Sequence, residues 1–141
     1  MAERVISNED MQKIRLATSI TKADVIDCVE DDDTIVFVVS RGFLGVAIGK
    51  NARNIERLKE IFKKNVRFVE LDDDEERFVA NLFKPFKIEE IRIEKVGNRN
   101  VARLKVPPKD KTRIIGKGGK NVRLARMIAQ RHSSIDDIQI Q

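Results

Sequence analysis

The sequence has 141 residues, of which 41% are apolar and 36% are charged, and its formal net charge at pH 7 is +5. This length suits one ordinary domain or two small ones. The single cysteine, Cys28, excludes an intrachain disulfide, and with only one histidine, His132, neither a zinc site nor a Cys/His nucleophile pair is expected.

The N-terminal half predicts a helix, a β-hairpin, two further helical segments and a strand. Ser7 is a suitable N-cap because Asp10 follows it at the capping-box position, and Met11, Ile14 and Leu16 supply the apolar stripe of the helix. The second hairpin strand is apolar on both faces, which indicates burial. The predicted elements are a helix from Ser7 to near Thr21, strands at 24–30 and 34–39, a compact helical segment at 41–48, a helix from Ala52 with apolar positions at Ile55, Leu58, Ile61 and Phe62, and a strand at 66–71.

The acidic run Asp72–Glu76 marks the boundary between two predicted domains, 1–71 and 72–141. It also places negative charge at the start of the next helix, where the helix dipole favours it. That helix must end before Pro85. The remaining predicted elements are strands at 88–96 and 101–106 around a turn at 97–100, a short helix from Asp110 or Thr112 to Ile115, a longer helix after Gly119 with Lys120, Arg123, Arg126 and Gln130 facing outwards, and a strand at 135–140.

The two halves repeat one another at an offset of 67 residues. The matched identities at this offset include Val39 with Val106, Ile48 with Ile115, Gly49 with Gly116, Lys50 with Lys117, Asn54 with Asn121, and Ile61 with Ile128. They cluster around a glycine turn, and the order of the predicted elements repeats as well. The sequence therefore predicts two copies of one small α+β module. We call Gly49–Ala52 the first turn and Gly116–Gly119 the second turn.

Positive charge is concentrated around the second turn. Residues 98–132 contain eleven Lys and Arg and a single acid, Asp110, so the stretch has a charge of +10 and the rest of the chain a charge of −5. Such a basic region in an otherwise acidic chain is typical of a protein that binds a polyanion. A solvated basic surface without a partner is the alternative.

The second turn has a composition that suits a phosphodiester backbone. Its small residues leave backbone N–H groups accessible, the following helix presents its positive dipole end, and Lys117 and Lys120 add charge. A nucleotide-hydrolase phosphate loop is excluded because neither turn has the required earlier glycine or a following Ser or Thr. A dinucleotide fingerprint is excluded because Asn121 stands where glycine or alanine is needed.

The acidic runs Asp31–Asp33 and Asp72–Asp74 lack the spaced oxygen ligands and the glycine of a calcium loop, and solvated turns are expected there instead. We expect no metal, no cofactor and no enzymatic activity. The N-terminus has no signal-peptide pattern and no apolar run approaches membrane-spanning length, so a cytoplasmic protein without membrane attachment is expected.

Ile115–Gly119 between two helices resembles the GXXG loop of a KH domain, and the order helix–strand–strand–helix–GXXG–helix–strand resembles the type II arrangement. Two such modules, with AIGKNARNIERL at 47–58 and IIGKGGKNVRLA at 114–125, resemble the archaeal members of the NusA family of transcription termination/antitermination factors. Segments 25–51 and 131–140 fit the same comparison. The resemblance implies an α+β fold of two tandem type II KH domains, each α-β-β-α-α-β, with a three-stranded mixed sheet and helices on one face.

The resemblance also implies a function. The expected partner is single-stranded RNA, in particular a nascent transcript, and RNA polymerase and other elongation factors are further candidate partners of a monomer. Two alternatives stay open: a protein-interaction scaffold that docks on polymerase or ribosome through its first module, and a KH protein of ribosome assembly. Because the chain has no Trp or Tyr, base stacking on aromatic side chains is not the expected binding mode.

The predicted contacts follow the two turns. The weaker contact is expected at the first turn, because Ala52 replaces a glycine and restricts the backbone. Ile114, Ile115 and Val122 either form an aliphatic wall for the bases or pack in the core. The residues expected to bind RNA at the second turn are Arg113, Ile115, Gly116, Lys117, Gly118, Gly119, Lys120 and Arg123. Those expected to bind more weakly at the first turn are Gly49, Lys50, Asn51, Ala52 and Arg53.

Overall fold

A computed structural model describes residues 6–141, and the chain divides into two compact units, Met1–Glu70 and Leu71–Gln141. Each unit has three helices and one three-stranded sheet, so the fold is α+β as predicted. In each unit the first two strands form an antiparallel hairpin, and the third strand lies parallel to the second. The same topology in both units is consistent with the repeat at an offset of 67 residues.

The first unit begins with a helix whose start is confirmed. The Ser7 side chain accepts a hydrogen bond from the Asp10 amide at 3.1 Å, as an N-cap does. The antiparallel hairpin is confirmed too. The elements of this unit are α1 (Asn8–Thr21), β1 (Val25–Glu30), β2 (Thr34–Val39), α2 (Leu44–Ile48), a 3₁₀ turn (Lys50–Ala52), α3 (Arg53–Phe62) and β3 (Asn65–Glu70).

The core of the first unit lies between the helices and one face of the sheet. Phe37 on β2 is fully buried, and its ring centre lies 5.8 Å from those of both Phe62 and Phe68. Leu58 fixes α3 on this core, and Ile14 does the same for α1. All residues from Ile35 to Val39 are buried, which confirms that both faces of β2 are covered.

Two residues of the first unit that were predicted to lie on the apolar faces of their helices are exposed. Leu16 is 37% exposed and Ile61 is 44% exposed. Each residue of an α-helix turns the side chain by about 100°, so Leu16 points about 200° away from Ile14. Ile61 likewise lies about 90° from the mean direction of the other apolar positions of α3. Both residues are apolar, but their spacing puts them off the inward face.

The second unit places its three strands in the order β4-β5-β6. Ile114, Leu124 and Ile128 of its helices are buried, together with Leu104 and Ile138 of its sheet. The helix that follows the acidic run ends before Pro85 as predicted. The elements are α4 (Glu75–Leu82), β4 (Glu90–Val96), β5 (Arg99–Lys105), α5 (Lys111–Ile115), a 3₁₀ turn (Lys117–Gly119), α6 (Lys120–His132) and β6 (Asp137–Ile140).

The hairpin turn of the second unit is shorter than predicted. Val96 pairs with Arg99, so only Gly97 and Asn98 form the loop. Gly97 has φ 64°, a value that two-residue hairpin loops require. Asp110 stands at the N-cap of α5 but makes no capping hydrogen bond to the helix. Its carboxylate accepts instead from the Arg113 guanidinium at 2.8 Å.

Candidate nucleic-acid interface

The second turn joins α5 to α6 through backbone angles that favour glycine. Gly116 has φ 82° and ψ 162°, Gly118 has φ 64° and ψ 18°, and Gly119 has φ 78° and ψ 12°. The first conformation is essentially restricted to glycine, and the other two are left-handed conformations that cost an L-residue about 1–2 kcal/mol. The exposed Lys117 lies between them.

The glycines of the second turn serve two different purposes. A Cβ on Gly116 would lie 2.7 Å from both the backbone N and the Cβ of Asn121. A Cβ on Gly118 or on Gly119 would meet nothing within 4 Å. Gly116 therefore lets the turn pack against α6, whereas Gly118 and Gly119 leave open space in which another molecule can approach the backbone.

Two amides of the second turn are used within it. The Gly119 N–H donates to the Gly116 carbonyl with an N···O distance of 3.0 Å, and the Lys120 N–H donates to the Lys117 carbonyl. For these two groups the expectation of accessible N–H donors is wrong, because a tight 3₁₀ turn satisfies part of its own backbone. These two backbone donors are therefore not available to a ligand.

The cations predicted for the site take different orientations. Arg123 reaches back over the turn, with Nη2 at 3.4 Å from the Gly118 carbonyl oxygen. Arg113 is 69% exposed, but it pairs with Asp110 and its guanidinium lies 5.3 Å from the centre of the Phe86 ring. The structure thus brings Arg123 onto the turn, next to the exposed Lys117, and directs Arg113 towards the start of α5.

The three aliphatic residues predicted for a base-binding wall or for the core differ in burial. Ile114 is fully buried and packs in the core, so it forms no part of a surface. Ile115 and Val122 are partly exposed on either side of the second turn. Only these two side chains are accessible to a base.

Some cations of the basic stretch 98–132 are paired with acidic side chains. Arg103 donates to Glu94 at 2.8 Å and to Gln139 at 2.8 Å. Arg126, predicted to face outwards, pairs with Asp137 at 2.6 Å and donates to the Ile138 carbonyl, so it ties α6 to β6. Ion pairs on the sheet thus neutralise part of the +10 charge.

The first turn has the same backbone conformation although its sequence differs. Gly49 has φ 79° and ψ 165°, Asn51 has φ 57° and ψ 33°, and Ala52 has φ 58° and ψ 26°. These angles match those of the three glycines of the second turn. Ala52 therefore adopts the left-handed conformation that glycine favours, at a cost of about 1–2 kcal/mol.

The surroundings of the first turn differ in charge. At the offset of 67 residues, Glu56 stands in the place of Arg123, and Val46 stands in the place of Arg113. Val46 is 49% exposed, and Glu56 lies 3.6 Å from Lys59. The first turn therefore keeps the geometry of the second and lacks two of its cations.

Sequence reasoning missed one residue type at both turns. The Asn54 side chain donates to the Val46 carbonyl at 3.1 Å, and the Asn121 side chain donates to the Ile114 carbonyl at 2.7 Å. Each bond links the helix after the turn to the helix before it. The sequence signal for this role is that the two asparagines are identical at the repeat offset.

The described residues 6–141 contain no group of three or more Cys, His, Asp or Glu side chains suited to hold a metal ion. Within the same range, no helix is long and apolar enough to cross a membrane. Cys28 is 1% exposed, and burial raises the pKa of its thiol to about 12. Within that range, the second turn with its flanking cations is therefore the strongest candidate for a binding site.

Comparisons with known proteins agree with this structure. A family model of the NusA-like second KH domain matches residues 75–141. The chain is 34% identical over 140 residues to the probable transcription termination protein NusA of Methanocaldococcus jannaschii, covering 99% of this chain and 76% of that protein. It is 35% identical over 135 residues to the protein of the same name from Halobacterium salinarum, covering 96% of each. Among solved structures, the crystal structure of APE1850 has a TM-score of 0.78 at 36% identity, covering 96% of this chain and 100% of that one.

Proposed function

We propose an RNA-binding role in transcription termination or antitermination for this chain, which belongs to the archaeal NusA family. In this proposal both units are KH domains, the protein is not an enzyme, and the second turn clamps the backbone of single-stranded nascent RNA. The name of the relatives supports a role in transcription termination. The KH-domain match of the second unit supports RNA as the ligand.

One observation supports the site more than any other. The space over Gly118 and Gly119 is open, and Lys117 and Arg123 lie beside it. A phosphate can approach the backbone there without meeting a Cβ, and the two cations attract it. The Arg123 guanidinium, now 3.4 Å from the Gly118 carbonyl, would turn from that weak contact to a phosphate oxygen. Ile115 and Val122 would contact bases without reading their edges, so base preference would be modest.

The direct test replaces both exposed glycines. The variant Gly118→Asp with Gly119→Asp places two carboxylates where the phosphate is expected, and no existing contact is disturbed because neither position has atoms within 4 Å of a Cβ. We expect an intact fold by circular dichroism and loss of binding to a fluorescent oligouridylate in anisotropy titrations. The matched control changes the second turn to the sequence of the first, Gly118→Asn with Gly119→Ala, and should keep most of the affinity. RNA binding that survives in the folded double-aspartate variant would exclude this turn as the contact.

Salt dependence tests the electrostatic part of the proposal. If three or four cations around the second turn contact phosphates, log Kd should rise with log salt with a slope of about 2–3 for a single strand. Between about 50 and 200 mM salt this slope weakens binding by roughly 20- to 60-fold. An affinity that is constant over this range would contradict a backbone clamp.

The exposed apolar residues of the first unit favour a second candidate function. Leu16, Val46 and Ile61 are exposed there, and a groove of about 250 Å³ is lined by Glu9, Gln12, Lys13, Leu16 and Phe62. This candidate is a scaffold that docks on RNA polymerase or the ribosome through the first unit. The variant Leu16→Ser with Ile61→Ser should then lose the partner in a pull-down and keep RNA binding. Retention of the partner by this folded variant would argue against the scaffold.

A further inference from the structure

Asn121 bridges the two helices that flank the second turn. Its Nδ2 atom donates to the Ile114 carbonyl at 2.7 Å. Ile114 lies in the last turn of α5, where carbonyl groups have no partner within the helix, and Asn121 is the second residue of α6. The Asn121 side chain therefore connects the two ends of the segment 114–121, which contains the turn.

The same residue also sets the position of the first glycine. An added Cβ on Gly116 would lie 2.7 Å from the Asn121 Cβ, so the bare Cα of Gly116 packs directly against this asparagine. The second turn is thus held in two ways, by the hydrogen bond between the helices and by this close contact. Neither interaction involves Gly118 or Gly119, which leaves their open side free for a ligand.

The first turn has a similar arrangement, in which the acceptor lies one residue earlier because Val46 matches Arg113 and not Ile114. Asn54 donates to the Val46 carbonyl at 3.1 Å, and a Cβ on Gly49 would lie 2.8 Å from the Asn54 Nδ2 atom. This turn has the same backbone angles without the second and third glycines. What the two turns share is the leading glycine, the lysine after it and the asparagine. The lysine is exposed in both, so the packed glycine and asparagine, rather than a high glycine content, account for the common conformation.

We propose that Asn121 is a positioning residue for RNA binding, whose side-chain amide holds the second turn in the conformation that receives the RNA backbone. This inference rests on the proposed RNA-binding function of that turn. Without the bond, the turn samples other conformations, and RNA must select the competent one at a cost in apparent affinity. Loss of one net hydrogen bond weakens binding about five- to tenfold.

The test compares the full chain with its Asn121→Ala variant, using fluorescent oligouridylate at several salt concentrations. We expect Kd to rise about five- to tenfold while the slope of log Kd against log salt stays unchanged, because every cation is retained. In the RNA-free variant, the amide resonances of Gly118 and Gly119 should shift or broaden in NMR spectra. By contrast, Lys117→Gln should lower the slope by about 0.7 and leave the resonances of Gly118 and Gly119 unbroadened.

Asn54→Ala is the matched control, since it removes the bond between the two helices that flank the first turn and should weaken RNA binding less. If Asn121→Ala fails to fold, Asn121→Ser, which keeps a shorter donor, is measured with the same expectations. Wild-type affinity in the folded Asn121 variant would overturn this inference and leave the proposed function standing. Weaker binding with unchanged resonances of the free turn would overturn it as well, since Asn121 would then contact RNA directly. Failure of the parent chain to bind RNA would instead refute the proposed function.

Discussion

Replacing Gly116 and Gly119 separately by alanine tests whether the second turn depends on close packing as well as on backbone angles. Gly119 has left-handed angles and open space around its Cα, so Gly119→Ala should cost only the conformational term, about 1 kcal/mol. Ala52 already occupies the matching position of the first turn, which shows that the conformation accepts alanine. This substitution should therefore be mild.

Gly116→Ala should be much more destabilising. The angles of Gly116 fall in a region that is essentially restricted to glycine, which costs other residues about 1–3 kcal/mol. The new methyl group would also lie 2.7 Å from the backbone N of Asn121, and overpacking of this kind costs about 1–3 kcal/mol more. The sum of roughly 2–6 kcal/mol is a large part of the stability of a small domain.

Urea unfolding followed by circular dichroism measures both effects. For each variant, the shift of the midpoint multiplied by the slope of the transition gives the change in unfolding free energy. We expect the loss for Gly116→Ala to exceed that for Gly119→Ala by at least about 1 kcal/mol. Equal losses would refute the reasoning, because they would mean that the contact between Gly116 and Asn121 relaxes at no cost.

Three further predictions concern the first unit. Burial disfavours the charge of Glu30, but hydrogen bonds from Lys13 and Lys64 outweigh this effect and lower the pKa of Glu30. Glu30→Gln should therefore lower the unfolding free energy by about 1–2 kcal/mol near pH 7. The lowered pKa stabilises the fold above the unfolded value of about 4.3, and this stabilisation is lost as the pH falls through the lower folded value. The unfolding free energies of parent and variant should therefore converge in urea titrations as the pH falls below the unfolded value. Cys28 is 1% exposed and burial raises its pKa, so it should react with a chromogenic disulfide reagent at pH 8 at least about tenfold more slowly than in urea; equal rates would show that the thiol is accessible. Ala52→Gly should raise the unfolding free energy by about 0.5–1 kcal/mol, since it relieves the left-handed strain, and a loss of stability would argue against that strain.

The sequence predicted those features that depend on local patterns. The cap at Ser7, the hairpin at 24–39 and the helix end before Pro85 each follow from a few neighbouring residues, and each is present. The turn at Gly116 was recognised from its composition and from its repeat. Periodicity also identified the buried Ile14 and Leu58, because one helical face collects such residues.

What the sequence could not predict depends on contacts between distant residues or on the surroundings of a single side chain. Arg126 looked like an outward-facing cation because its partner Asp137 lies on another element. Ala52 adopts left-handed angles that alanine rarely does, so its residue type did not indicate them.

The two turns have the same backbone geometry but different surrounding charge. This difference affects how RNA binding can be distributed along the chain. A backbone of fixed shape allows a phosphate to approach, but by itself it supplies little attraction because part of its amides are bonded internally. Under the proposed function, cations such as Arg123 would supply the attraction, and the first turn has Glu56 at that position. If charge dominates affinity, the first turn adds little to the binding of a bare RNA backbone, whatever its shape. Its retained geometry would then matter only where RNA is already held by the second turn, since the effective concentration of a tethered strand makes a weak second contact useful.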